Sequence, residues 1–221
     1  PPRSTPKPSS AASDVYKRQV HINAFNFPIW GMLEKIAVNL MAGVAAVVKP
    51  SEYTSYLTEL MVKEIIDSKI LPEGSLQLIP GSGKGILDHV GHNDVVTFTG
   101  SASTGKILKS HPNILENSVP FNMEADSLNA CVLGEDVEES SDEFDIFIKE
   151  IYREMTAKTG QKCTAVRRIL VPENKIDQVQ KALITKLEKT IIGNPEIFFP
   201  KAIGNLTLLL LKSLLVNISL I

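Results

Sequence analysis

Cys163, in the run Gly160-Gln161-Lys162-Cys163-Thr164-Ala165, is the residue of this chain best placed for covalent chemistry. An amphipathic helical pattern from Glu139 to Thr159 precedes it, and a strand-like run from Val166 to Val171 follows. A thiol at a helix-to-strand turn is open to substrate, whereas one inside an element is packed away. Only a few per cent of an ordinary thiol, pKa about 8.5, is thiolate at neutral pH; a lysine beside it and free backbone N–H groups can raise that share. The alternative for a lone cysteine is an inert small hydrophobe. Cys131, inside Ala130-Cys131-Val132-Leu133, reads as a buried strand residue of that kind. Gly100-Ser101 closes a strand pattern and opens a helical one, and the free N–H groups of a helix start bind pyrophosphate. Ser101 adds a hydroxyl donor and is equally an ordinary N-cap. Gly81-Ser82-Gly83-Lys84-Gly85 fails as a P-loop, because Leu78 stands where that motif needs glycine and Gly85 where it needs Ser or Thr. It is a strand-to-helix turn that can line a ligand groove.

The elements that must carry these residues alternate. Ala45–Val48 reads as a strand, Ser55–Ser68 as a helix with Leu57, Leu60, Met61 and Ile65 on one face, and Ser75–Ile79 as a strand. Gly83–Val90 follows as a short helix, Asp94–Phe98 as a strand and Ser103–Ser110 as a helix. This β-α-β-α-β-α order predicts an α/β fold with a doubly wound parallel sheet, Rossmann-like, which Val119–Glu124 and Asn129–Leu133 extend. The helix before Cys163 and the strand after it begin a second α/β domain. Ligands of such a fold sit at the carboxyl ends of the strands.

Composition narrows the classes. The 221 residues can bury a sizeable core, and a formal charge of −2 gives no electrostatic case for nucleic acid or an anionic membrane. Two widely spaced cysteines argue against a disulfide framework and suit the cytoplasm. His21, His89, His92 and His111 form no zinc pattern with cysteines or acids; His89 and His92 read as a solvated helix end. Pro1–Gln19, with four prolines and four serines and no apolar periodicity, is expected to be disordered and non-native. It lacks the apolar core of a secretory signal. The tail 196–221 is apolar, but Lys212 interrupts it before the length of about 20 residues that a membrane helix needs. A frameshifted or truncated gene end is the expected origin of this tail. The expected division is 20–136 for a first domain, incomplete at its start, and 137–195 for the beginning of a second.

Four segments stand in order along the chain: Asn23-Ala-Phe-Asn-Phe-Pro-Ile-Trp30, Val48-Lys-Pro-Ser-Glu52, Thr97-Phe-Thr-Gly-Ser101 and Gly160-Gln-Lys-Cys163. Together they resemble the aldehyde dehydrogenase superfamily. The runs Val119-Pro-Phe-Asn-Met-Glu-Ala-Asp-Ser-Leu-Asn129, Val132-Leu-Gly-Glu-Asp136 and Arg153-Glu-Met-Thr156 are similar to one branch, the dehydrogenase domain of the bifunctional proteins of phenylacetate degradation. The resemblance covers about Val20 to Pro195. It implies that Cys163 attacks an aldehyde, that the Asn26 amide stabilises the oxyanion, and that Glu124 activates the water that hydrolyses the thioester. Phe121, Met123 and Leu128 are expected to surround Glu124 with apolar groups that raise its pKa. Asp126 and Ser127 replace glycines of the family's common Glu-Leu-Gly-Gly pattern, as they do in the branch. The resemblance also implies that Lys49, Ser51 and Glu52 serve the adenosine ribose of NAD or NADP, and Gly100 and Ser101 the pyrophosphate. A carboxylate at 52 favours NAD, whereas the branch is associated with NADP. Pro195-Glu-Ile-Phe-Phe-Pro200 matches a later ribose-binding element of the family by chance, since it comes too soon after Cys163.

The function implied is NAD(P)-dependent oxidation of an aldehyde, CoA-linked in that branch, by a protein that is a homo-oligomer at full length, with no metal, nucleic acid or membrane partner. Two alternatives stay open: a catalytically incomplete fragment that at most binds nucleotide, and an acyl-transferring thiol enzyme using Cys163 and Asn26.

Overall fold

The structure, a computed structural model, describes residues 18–190 and 218–220. Residues 1–17, most of the apolar tail and the Pro195–Pro200 look-alike lie outside the described residues. The chain forms two compact units that divide between Asp126 and Ser127.

In the first unit five strands form one parallel sheet in the order β3-β2-β1-β4-β5: β1 (Arg18–Ile22), β2 (Ala45–Lys49), β3 (Leu76–Leu78), β4 (Asp94–Gly100) and β5 (Phe121–Ala125). The expected doubly wound sheet is therefore present, with its direction of winding reversing between β1 and β4. Strand β1 corrects the placing of residues up to 19 outside the fold. Arg18 and Gln19 pair with β2 and β4, and the Arg18 guanidinium binds the buried Asp94 carboxylate at 3.0 Å. A buried carboxylate without such a partner is strongly destabilising, so this pair ties Arg18 of β1 to β4.

Strand alternation divides the side chains between two faces. Val20, Val47, Val96 and Phe121 pack on one face with Leu87, Val90, Ile114 and Val119. That face is served by a 3-10 turn at Ile86–His89, in place of the expected longer helix, and by α4 (Pro112–Glu116). Helix α3 (Ala102–Lys109) adds Gly105, where a Cβ would lie 2.3 Å from Met123 Sδ. On the opposite face, α1 (Trp30–Met41) and α2 (Ser55–Asp67) bury Met32, Ile36 and Val62 against Ala46, Val48 and Leu76.

The α1 face is not wholly apolar. Asn39, buried on α1, meets His21 Nε2 at 2.8 Å, and His21 Nδ1 meets Thr97 Oγ1 of β4 at 2.7 Å. Burial, and then the charge of Lys35, lowers the His21 pKa to about 4.

The second unit holds a parallel three-stranded sheet, β6 (Ala130–Val132), β7 (Arg168–Val171) and β8 (Ile218–Leu220), in that order. Here the sequence expectation is corrected, since residues 129–133 extend this sheet and not the first one. Asp126 takes the left-handed conformation (φ 53°) directly after β5, and the chain turns out of the first sheet there. Residues 127–136 accordingly go with the second unit. Helix α5 (Asp142–Thr156) starts at Ser141, whose hydroxyl accepts from Phe144 N–H, and its first turn is acidic. Its buried stripe of Phe144, Phe147, Ile148, Ile151 and Met155 follows the helical period and packs with Ile169 and Val171 of β7. Val179 and Leu183 of α6 (Ile176–Glu188) complete that core.

The His21 pocket predicts a pH dependence. Below its unfolded pKa of about 6.5 the unfolded chain binds a proton that the folded chain refuses until about pH 4, so stability falls as pH drops through that window, by about 3 kcal/mol in all. Urea midpoints measured from pH 7 to 4 should show this slope, and His21→Gln should remove it; equal slopes in both proteins would contradict it.

Candidate active site

Every first-unit residue expected to act lies at, or just beyond, the carboxyl end of a strand. Asn26 follows β1 in a half-buried loop. That loop is tied to the start of α2, with Thr54 Oγ1 donating to Phe25 O (3.1 Å) and Thr58 Oγ1 to Pro28 O (3.3 Å). Trp30 stands edge-on to Phe27 with ring centroids 5.5 Å apart. Lys49 ends β2 and is buried, its Nζ donating to Pro50 O at 2.8 Å. Gly83 lies against the Lys49 stem so closely that a Cβ would come within 3.0 Å of Cε. The glycine turn after β3 therefore roofs Lys49 and does belong to this edge. Ser51 precedes a 3-10 turn (Glu52–Thr54), which leaves Glu52 exposed.

Gly100 ends β4. A Cβ there would come 2.6 Å from Phe98 Cζ, so the position admits only glycine without repacking. Ser101 is the N-cap of α3; its Oγ accepts from Thr104 N at 3.2 Å and clusters with the Ser103 and Thr104 hydroxyls. The next N–H, that of Ala102, donates to Asp126 Oδ1 at 3.3 Å. A carboxylate oxygen thus stands at the helix start where the sequence analysis places a phosphate oxygen.

Glu124, on β5, is in register with Thr99 of β4. Its expected apolar surroundings are not found. Alternation sends Phe121 and Met123 to the opposite face, where Phe121 packs in the core and Met123 reaches Gly105; Leu128 is 67% exposed. What stands near Glu124 is a cation. Lys35 of α1 donates from Nζ to Asn23 Oδ1 (3.1 Å) and Thr99 Oγ1 (2.6 Å). Burial holds its pKa below the ordinary lysine range, and the charges of Glu124 and Glu34 work against that shift. Sequence reasoning missed Lys35 and Asn23. The available signal was polar residues at 35 and 39, one turn apart, beside the core positions Met32 and Ile36.

Cys163 lies in the second unit and is exposed. Three consecutive left-handed residues, Lys158 (φ 52°), Thr159 (φ 56°) and Gly160 (φ 71°), bend the chain from α5 into its loop. Asn129 Nδ2 donates to the Cys163 carbonyl at 2.5 Å and to the Ala165 carbonyl at 3.3 Å, while Arg167 reaches back to Gly160 O at 3.0 Å. Lys162, expected to favour the thiolate, has its ammonium on Glu154 at 2.8 Å, both side chains being largely buried. The pKa of Lys158, in the same loop, is lowered by burial and then by Lys162, with Cys163 working against that shift. Cys131 is half-buried and its thiol is pushed up by burial. Iodoacetamide at pH 7.5 should therefore alkylate Cys163 at least about tenfold faster than Cys131; peptide mapping showing equal rates would contradict the exposure described.

The sequence pattern of the aldehyde dehydrogenase family matches residues 19–201. Among individual relatives, 3,4-dehydroadipyl-CoA semialdehyde dehydrogenase of Aromatoleum evansii is 48% identical over 195 residues, which are 84% of this chain and 38% of that protein. Mouse aldehyde dehydrogenase 1A1 is 30% identical over 77% of this chain and 33% of its own length. The chain thus spans about a third of the length of these relatives. The crystal structure of Staphylococcus aureus betaine aldehyde dehydrogenase in complex with NAD+ superposes with a TM-score of 0.72 at 29% identity, covering 83% of this chain and 35% of that one. With the family pattern matched across most of its length, and with three of the four segments at the carboxyl ends of strands and the fourth in the loop after α5, this chain belongs to the aldehyde dehydrogenase family.

Proposed function

We propose that this chain carries the dinucleotide-binding strands and the nucleophilic cysteine of an NAD(P)-dependent aldehyde dehydrogenase. The observation that carries the reading is the strand order β3-β2-β1-β4-β5, which brings Asn26, Lys49, Ser51, Glu52, Gly100, Ser101 and Glu124 to one edge of one sheet. Ligands of doubly wound sheets bind at that edge, beside the reversal of winding. The residues fit a dinucleotide: Gly100 brings the chain to the start of α3 with the Phe98 ring packed against its Cα, and the Ala102 N–H already holds an anionic oxygen from Asp126. Lys49, Ser51 and Glu52 would hold the adenosine ribose, and Gly100 and Ser101 the pyrophosphate. When bound, the dinucleotide supplies the hydride acceptor.

The chain's own residues do the rest. The Cys163 sulfur adds to the aldehyde carbon, and the Asn26 amide with the Cys163 backbone N–H donates to the oxygen as it gains charge. Glu124 takes a proton from the water that later releases the acid from the thioester. The identity with a CoA-semialdehyde dehydrogenase supports a CoA-linked semialdehyde of phenylacetate breakdown as substrate. Two widely spaced cysteines support a cytoplasmic protein, and the full-length protein is read as a homo-oligomer.

In the full-length protein, Cys163→Ala should abolish both the first turnover and the steady state. Glu124→Gln should leave a burst of one reduced dinucleotide per site and stop thereafter. Retained turnover in the cysteine variant would overturn the assignment. Removing the competing carboxylate with Asp126→Asn should tighten dinucleotide binding roughly two- to fivefold by calorimetry, since a charge at a helix start is worth about 0.3–1 kcal/mol; weaker binding would show that Asp126 supports the site.

A further inference from the structure

Of the two side chains that accept from the Lys35 ammonium, Asn23 and Thr99, Asn23 is the buried one, at 7% exposure. It sits one residue beyond β1, and its backbone N–H donates to Lys49 O at 3.0 Å, which fixes it between the ends of β2 and β4. Its side-chain oxygen accepts from Lys35 Nζ, while its Nδ2 has no partner among the described residues. That asymmetry is informative. The amide cannot be turned over, because turning it would set N–H groups against an ammonium and leave the lysine one acceptor short. A buried amide kept in place at the cost of an unpaired donor is being held by what its oxygen does.

We propose that Asn23 is a positioning residue for the reaction: its side-chain carbonyl, with the Thr99 hydroxyl, fixes the Lys35 ammonium against the β4–β5 edge, on the face of the sheet that carries Glu124. The sheet supplies the placement. Ile22 is in register with Phe98 and Thr99 with Glu124, so Asn23, Thr99 and Glu124 follow one another across three adjacent strands, all on the α1 side. An ammonium has three donors; Asn23 and Thr99 take two of them. The acidic groups around it are Glu124 from β5 and Glu34 from its own helix, and from β1 comes His21, neutral above about pH 4. Asn23 thereby sets how much positive charge stands beside the group read above as the general base, and the inference rests on that reading of Glu124.

The test is the titration of Lys35 in this chain, followed by carbon-13 NMR of ε-labelled lysine and assigned with Lys35→Arg. It needs neither dinucleotide nor turnover, so an error about the reaction leaves it readable, while the Glu124→Gln burst experiment tests the reaction separately. Lys35 should titrate below the ordinary lysine range. Asn23→Asp, which keeps the oxygen and adds charge, should raise its midpoint by about one pH unit, whereas Asn23→Leu should lower it. Glu124→Gln should lower it as well. An Asn23 whose oxygen did not hold the Lys35 ammonium would not move the midpoint in opposite directions in the two variants. No shift, or shifts of the same sign, would overturn the proposal. Should Asn23→Leu fail to fold, Thr99→Val takes its place and should lower the midpoint; a Thr99→Val midpoint unchanged from the wild type would likewise overturn it.

Discussion

An ammonium group placed against the face of a parallel sheet loses its hydration, and the loss is several kcal/mol unless acceptors surround it. Lys35 imposes that condition on the first unit. It needs an oxygen from β1, which Asn23 gives, and one from β4, which Thr99 gives, so α1 can dock only where both strands end at matching heights. The neighbouring layer repeats the arrangement with neutral groups, Asn39 to His21 to Thr97. Apolar packing by Met32 and Ile36 drives α1 onto the sheet but tolerates sliding; the two polar layers do not. The register that results also sets where Asn26 emerges, because its loop connects β1 to α1.

The second unit solves a different problem, that of presenting an exposed thiol on a loop that must not wander. Three successive left-handed residues are unfavourable for two non-glycine side chains. They persist because the chain on either side is anchored, by α5 before them and by Asn129, Arg167 and the Lys162–Glu154 pair after them. Strain held by surrounding contacts is characteristic of loops with a chemical task. The acid–base pair beneath Cys163 is largely buried and anchors the loop, so the local cation that responds to the thiol is Lys158.

The sheet was legible in the sequence because short apolar strands alternate with helical periods, and that rhythm is local. So were the residues at strand ends, whose glycine, serine and lysine types have local reasons. What was not legible depends on partners distant in sequence. Arg18 looks like part of a featureless lead until Asp94 is known to be buried beside it. Residues 129–133 have the pattern of a strand, but pattern does not say which sheet accepts it; the left-handed Asp126 decides that. The surroundings of Glu124 were misjudged because nearness along a strand is not nearness in space. Alternation takes Met123 away from Glu124 and the register brings Thr99 and Lys35 to the same face.

Asp126 ties these strands of argument together. At a φ of 53° a glycine would sit without strain, and the family's common pattern has one there. An aspartate accepts the cost because its side chain gains the N–H at the start of α3, while its own N–H donates to Gly100 O at 3.2 Å. Asp and Asn are the residues that tolerate this conformation best after glycine, through such local hydrogen bonds. Asp126 therefore stands at three features at once: the end of β5, the turn out of the first sheet, and a negative charge at the start of α3, where the proposed pyrophosphate would lie. Departures from a family's pattern at a turn are commonly read as drift. Here one side chain links the geometry of the turn to the electrostatics of the proposed cofactor edge, so a change at 126 has to alter both.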